Sequence, residues 1–255
     1  MNDRRTPSQV VRRARPLLGT LVEVGLCGAR SGDDAALLAA CDLAFDAVAD
    51  VQRCLSRFDA SSDIARFNAL AADGWLDVQA DTAIVLSAAQ QLFSDSDGVF
   101  DVSLGSAPRG WLLRDGRLHK LHDDARLDLG GVGKGHAVDR AVQALQCAAL
   151  AGGWVNAGGD LRSFGSAAIE LKLRDEQRGG VVDFGRLRDG AFATSCFGPD
   201  TRSALSAAGR ACMRSHVSVA APSCLLADAL TKVVAASGDV HHRLLARARA
   251  QAWLH

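Results

Sequence analysis

Residues 127–142 read LDLGGVGKGHAVDRAV. An apolar-acidic-apolar start runs into four glycines and Lys134, then into apolar residues spaced three and four apart (Ala137, Val138, Ala141, Val142). That order predicts a short strand and glycine loop over 127–135 and a helix over 136–150. Two familiar phosphate loops are excluded by position. A P-loop would need glycine at 128 and a hydroxyl at 135, where Asp128 and Gly135 stand. A dinucleotide fingerprint starting at Gly131 would need glycine at 136, where His136 stands. The physics is independent of either pattern. Glycines permit close backbone approach, and amides at a helix N-terminus attract anions. Lys134 opposes the helix dipole there, which points to an anionic partner. A tight strand-to-helix connection with a solvated lysine is the alternative.

The chain has 255 residues, 29 basic and 29 acidic, and no net charge. The strongly basic footprint of a general nucleic-acid binder is absent. Arginines at 4, 5, 12, 13 and 15 interrupt the N-terminal segment, so no apolar leader and no membrane span are visible. A cytoplasmic location is expected, or export if a leader was removed. Seven cysteines, with no CxxC pair, argue against a disulfide framework or a zinc knuckle. Cys41, Cys54 and Cys147 are expected in the core, and Cys196 is expected as a small packed side chain.

Residues 1–13 read as a flexible N-terminus and 14–255 as one domain. A strand is expected over 15–28, and a helix capped by Asp33 or Asp34 runs to about Ser56 on the spacing of Leu37, Cys41, Phe45, Val48 and Leu55. A short helix follows Ser61 or Ser62, and another covers 81–98. Residues 99–111 read as extended, 112–126 as a loop, and 153–165, 169–175, 190–196 and 216–223 as strands. A helix over 225–238 stops at Gly238, and a last basic amphipathic helix is expected over 239–253. Early long helices followed by strands with glycine turns indicate an α+β fold with mixed or antiparallel sheets flanked by helices.

Six segments in order carry more than any one motif: SRFDASSDIARFN (56–68), GVFDVSLGS (98–106), LDLGGVGKGHAVDRAV (127–142), WVNAGGDLRSFG (154–165), FATS (192–195) and SVAAPSCLLADALTK (218–232). Together they resemble the FAD:protein FMN transferase (ApbE) family over nearly the whole chain from about residue 15. The resemblance implies a flavin cleft between two lobes. It implies cleavage of FAD, with FMN joined through a phosphoester to a threonine of a target flavoprotein and AMP released. It places FAD contacts at Phe58, Val99, Phe100, Asp101, Asp128 and Lys134, and catalytic roles at Lys134 and Asp228. It implies magnesium on the Gly131 carbonyl, Asp228 and a threonine, for which Thr231 is available. For the residues alone, other readings stand beside these. Phe58 could be a core aromatic, Asp128 a helix cap, Asp139 structural, and Asn156 and Asp160 simply turn formers.

The chain departs from the family pattern in four places. Position 232 is Lys232 where the family has the threonine, and Thr231 lies about 100° around the helix from it. Lys232 is expected to pair with Asp228 and partly replace the metal, or to form a surface i, i+4 ion pair. Residues 196–219 lack the family's H-I-I-[DN]-P-x-T-G segment, and His216 comes too late to supply its histidine. Cys196 replaces a glycine and Leu18 a methionine. A non-catalytic FAD-binding protein and an FAD pyrophosphatase are therefore the alternatives to a transferase.

Overall fold

The structure, a computed structural model, describes residues 10–27, 34–148, 150–174, 178–197 and 216–255. Strands β1 (Val10–Leu17) and β2 (Thr20–Cys27) form a hairpin. Then come α1 (Asp34–Leu55), α2 (Asp63–Ala69), β3 (Trp75–Asp77), α3 (Ala80–Asp95), β4 (Trp111–Arg114) and β5 (Arg117–Lys120). Helix α4 (Gly133–Gln146) is followed by β6 (Gly152–Ala157), β7 (Asp160–Arg174), β8 (Val181–Cys196) and β9 (His216–Ala221). The chain ends with α5 (Cys224–Ser237), α6 (Arg243–Arg247) and β10 (Gln251–Leu254).

One sheet has the order β1-β2-β6-β7-β8-β9-β10 and a smaller one β3-β5-β4, and every pairing is antiparallel. The expected α+β architecture, with antiparallel sheets flanked by helices, is present. Helices α1, α4 and α5 pack together on one face of the large sheet. The stripe predicted for α1 is buried there, from Leu37 through Cys41, Phe45 and Val48 to Leu55. Most of α5 is buried, which suits its run of apolar residues. The opposite face carries a second cluster of Leu171, Leu187 and Phe192, with Phe184 and Trp253 packed on it. No described helix is long and apolar enough to cross a membrane.

Several expected elements differ. The segment expected as one strand over 15–28 holds, in its described residues 15–27, parts of two strands joined by a two-residue turn, Leu18 and Gly19, both with positive φ (56° and 70°). Val10–Arg13, expected to belong to a flexible N-terminus, pair with β2; residues 1–9 lie outside the described residues, as do Asp33 and Cys212. Residues 99–110 are successive turns rather than extended chain. The expected loop at 112–126 holds the β4–β5 hairpin, closed by Asp115-Gly116 with both φ positive. No strand forms at 127–129, because the Asn68 amide clamps Leu127 there, donating to its carbonyl and accepting from its N–H. The expected C-terminal helix stops after α6, and Arg249 (φ 52°) turns the chain into β10, which pairs with β9. Cys147 and Cys196 are exposed rather than packed, whereas Cys41 and Cys54 are buried as expected.

Candidate functional site

A cavity of about 560 Å³ opens where the β1–β2 turn, the ends of α1 and α5, the 99–104 turns and the start of α4 meet. Its floor depends on how closely α4 and α5 approach. A side chain at Gly135 would overlap Cys224 O and would lie 2.9 Å from Asp228 Cβ, so this position needs glycine. The approach lets Asp228 Oδ2 accept from Gly135 N at 3.1 Å. A carboxylate of α5 thus occupies the N-terminus of α4, where the helix dipole favours negative charge. Other loop amides are also engaged: Gly130 N donates to Asp128 Oδ1, and Val132 N and Gly133 N donate to Leu129 O. The glycine loop is therefore largely satisfied within the protein.

Side chains make the charged part of the floor. Lys134 Nζ pairs with Asp160 Oδ2 and lies 4.0 Å from Asp228 Oδ2. Asp160 reaches this point because the Asn156–Gly159 turn, held by Gly159 N donating to Asn156 Oδ1, starts β7 with Asp160 on the helix-covered face. Lys232 Nζ pairs with Asp228 Oδ1 and donates to Asp228 O at 3.0 Å and Ser195 Oγ at 3.1 Å. Ser195 Oγ also bonds Thr231 Oγ1 at 2.8 Å, and Thr231 Oγ1 donates to Asp228 O at 2.6 Å. Both aspartates are fully or almost fully buried. Burial alone would lower the Lys134 pKa, but the Asp228 and Asp160 carboxylates outweigh it and hold it above the ordinary lysine value. Burial, then the Asp228 charge, pushes Asp160 up to about 6 against the opposing pull of Lys134 and Lys232.

The expected contact residues are brought together around this floor. Phe58, Val99, Phe100, Asp101, Asp128, Gly131 and Lys134 all line the cavity. Phe58 is not a core aromatic: it is 83% exposed at the mouth, and the Arg57 guanidinium lies 4.2 Å from its ring centroid. Arg57 Nε is 3.1 Å from Asp128 Oδ2. Asp128 therefore spans Gly130 N and Arg57 and does not cap α4. Asp101 is buried and satisfied by its own loop, accepting from Ser103 N, Ser103 Oγ and Gly105 N. Asp139 is structural, accepting from Cys224 N and Leu225 N at the start of α5. Three residues take a larger part than their sequence suggested: Asp160, read as a turn former, and Arg57 and Ser195. Asp160 carries a signal in hindsight. A charged residue opening a strand just after Gly158-Gly159, with its side chain on the covered face, must find a cation or hydrogen-bond donors.

The set expected to hold magnesium does not fit a divalent ion as it stands. The Lys232 ammonium sits on Asp228 Oδ1, Gly135 N holds Oδ2, and the Thr231 hydroxyl is bonded to Ser195 and to Asp228 O. Among the described residues no group of three or more His, Cys, Asp or Glu side chains could hold a metal ion. Of residues 196–219, expected to lack the family's histidine-bearing segment, 198–215 lie outside the described residues.

Solved structures share this fold. The flavin transferase ApbE from Vibrio cholerae superimposes with a TM-score of 0.81 at 18% identity, covering 97% of this chain and 94% of that one. The ApbE protein of Thermotoga maritima gives 0.80 at 20% identity, covering 96% and 94%. The apo Pseudomonas stutzeri flavinyl transferase ApbE gives 0.75 at 21% identity, covering 89% and 84%. No curated protein matches the chain in sequence. The sequence model of the ApbE family matches residues 18–117 and 111–254, almost the whole length, and the chain belongs to the ApbE family.

Proposed function

We propose that the chain is an FAD:protein FMN transferase. The observation that carries the reading is the floor of the cleft, where Lys134 and Lys232 are each anchored by a buried aspartate, in a chain of the ApbE family. Splitting a pyrophosphate requires positive charge at the phosphates and a nucleophile held in line. The two ammonium groups supply that charge at fixed positions. The exposed face of Phe58 offers a platform for a flavin or adenine ring, and Arg57 on its other side is a third cation at the mouth.

In the reaction, the hydroxyl of a target threonine attacks the phosphorus on the FMN side. The bond from that phosphorus to the bridging oxygen breaks, AMP leaves with that oxygen, and the hydroxyl proton passes to solvent. FMN remains on the target through a phosphoester. Lys134 stays protonated at any working pH, because its carboxylate partners raise its pKa, so its part is electrostatic rather than acid–base. Asp228 acts through Lys232, Lys134 and the α4 amide, holding the floor in place.

The test is incubation with FAD and a flavoprotein bearing an acceptor threonine. Flavin fluorescence that stays with the denatured target, with the target's mass raised by one FMN less one water, is the expected result. FMN and AMP released to water with an unmodified target would assign a pyrophosphatase instead. Bound FAD that remains intact would assign a carrier.

A further inference from the structure

We infer that Lys232 is the resident cation of the Asp228 carboxylate, so that the phosphate end of the cleft binds its ligand without a divalent metal ion. This rests on the proposed binding of FAD for the ligand, but not for the cation. An ammonium has three hydrogens to donate. Those of Lys232 have three acceptors: Asp228 Oδ1, Asp228 O at 3.0 Å and Ser195 Oγ at 3.1 Å. The side chain is only 12% exposed, and its stem lies along Gly131, with Cγ, Cδ and Cε 3.5–3.9 Å from where a Cβ there would be. Packing therefore fixes the ammonium between the glycine loop and α5.

The oxygens a metal would need are committed. Asp228 gives one to Lys232 and the other to Gly135 N, with Lys134 at 4.0 Å, and Thr231 turns its hydroxyl to Ser195 and Asp228 O. Mg²⁺ demands a near-octahedral oxygen shell at about 2.0–2.1 Å, which the ammonium obstructs. Charge points the same way. Without a ligand, Asp160 and Asp228 already balance Lys134 and Lys232, so a divalent ion entering the site alone would leave two uncompensated positive charges. A lysine at i+4 from an aspartate on a solvated face would have been a weak surface pair. Here the aspartate is fully buried and the pair forms part of the floor.

Two measurements on the full chain separate this inference from the proposed function. The first uses Mn²⁺ alone, followed by electron paramagnetic resonance. Wild type is expected to leave the ion free at sub-millimolar concentration, whereas Lys232→Thr, which vacates the carboxylate oxygen and restores a hydroxyl, is expected to bind about one per chain. Stoichiometric Mn²⁺ on wild type that disappears in Asp228→Asn would overturn the inference. The second is FAD titration by fluorescence in EDTA and in millimolar Mg²⁺. Wild type is expected to bind equally within about a factor of two, and Lys232→Thr to bind at least tenfold tighter with Mg²⁺. Tenfold tightening of wild type by Mg²⁺, or metal-independent binding by Lys232→Thr, would overturn the inference while leaving a flavin function standing. If wild type binds no FAD in either condition, the proposed function fails and the Mn²⁺ titration still decides the cation. Melting of Lys232→Thr with and without Mg²⁺ guards against simple misfolding: Mg²⁺ should raise the variant's Tm and leave that of wild type unchanged.

Discussion

Replacing Asp139 with alanine tests how the site is positioned. This residue sits in α4 but caps a different helix. Its Oδ1 accepts from Cys224 N and its Oδ2 from Leu225 N, each at 2.9 Å, while Arg162 Nη1 donates to Oδ1 at 2.6 Å. The local cap of α5, Ser223 Oγ, accepts Leu226 N at a longer 3.4 Å, so Asp139 supplies most of the capping. Asp139→Ala leaves two amides without acceptors and Arg162 without its partner. Hydrogen bonds to a charged acceptor contribute about 1.5–3 kcal/mol each and do not sum fully, so the variant should lose about 3 kcal/mol. For a chain of this size that is about 6–12 °C in Tm. Asp139→Asn keeps one acceptor oxygen and should lose about half as much. Calorimetry or circular dichroism melting reads both. An alanine variant within about 2 °C of wild type, or an asparagine variant as unstable as alanine, would refute the trans-capping argument. Since α5 carries Asp228, Thr231 and Lys232, FAD affinity should fall along with stability.

Phe58→Ala should leave Tm within about 1 °C, because an exposed side chain contributes little to folding, yet weaken FAD binding about tenfold; unchanged binding in a fluorescence titration would remove the stacking role. Asp160 titrates higher in the folded protein, about 6, than at its ordinary 3.8. The folded state therefore binds that proton more tightly, and this contribution favours folding fully below about pH 4 and is lost as pH rises through about 6. Melting across pH 4–6 should show a less negative slope of stability with pH in Asp160→Asn, and an unchanged slope would contradict the assignment. Lys120 is fully buried and donates to Leu70 O at 2.8 Å and Asn68 O at 3.3 Å at the end of α2. Lys120→Met should cost about 1–2 kcal/mol in urea unfolding, because two carbonyls lose their donor while the penalty of burying the ammonium is relieved.

Helices were legible wherever one face is apolar: α1, α3, α4 and α5 follow from side-chain spacing and their stops. What escaped was chiefly paired chain with polar sequence. The β4–β5 hairpin lies in WLLRDGRLHK, and its Asp115-Gly116 is a hairpin signal, but the short strands are too charged to show an apolar face. Residues 127–129 alternate like a strand and make no ladder, because a side chain 59 positions away, Asn68, takes the bonds a neighbouring strand would have made. The C-terminal segment has helical spacing, yet β10 forms because pairing with β9 extends the large sheet. Of the site, Lys134, Asp128, Gly131 and Asp228 were accessible from motif order. Asp160 was not, because its role depends on a partner 26 residues back that only the fold brings alongside.

Two buried carboxylates beneath the proposed phosphate site would repel an anion, and distance decides the matter. A phosphate oxygen hydrogen-bonded to an ammonium lies about 3 Å from it and about 6 Å from the carboxylate behind. With an effective dielectric of about 20, the attraction is about 5.5 kcal/mol and the repulsion about 2.8. Attraction wins by about half its value for Lys134 against Asp160. Lys232, whose three hydrogens have acceptors within the protein, adds its charge without a hydrogen bond, and neither lysine needs reordering. The same pairing cancels the field farther out, where a carboxylate and its ammonium act as a dipole. Such a floor does not gather polyanions from a distance, in keeping with a chain whose 29 basic and 29 acidic residues cancel. Under the proposed function, it would hold a phosphate only once the rest of the ligand has seated it in the cleft. Selection then falls to the apolar walls and the ring platform at Phe58, which favours a phosphate joined to an aromatic ring system over free phosphate or nucleic acid.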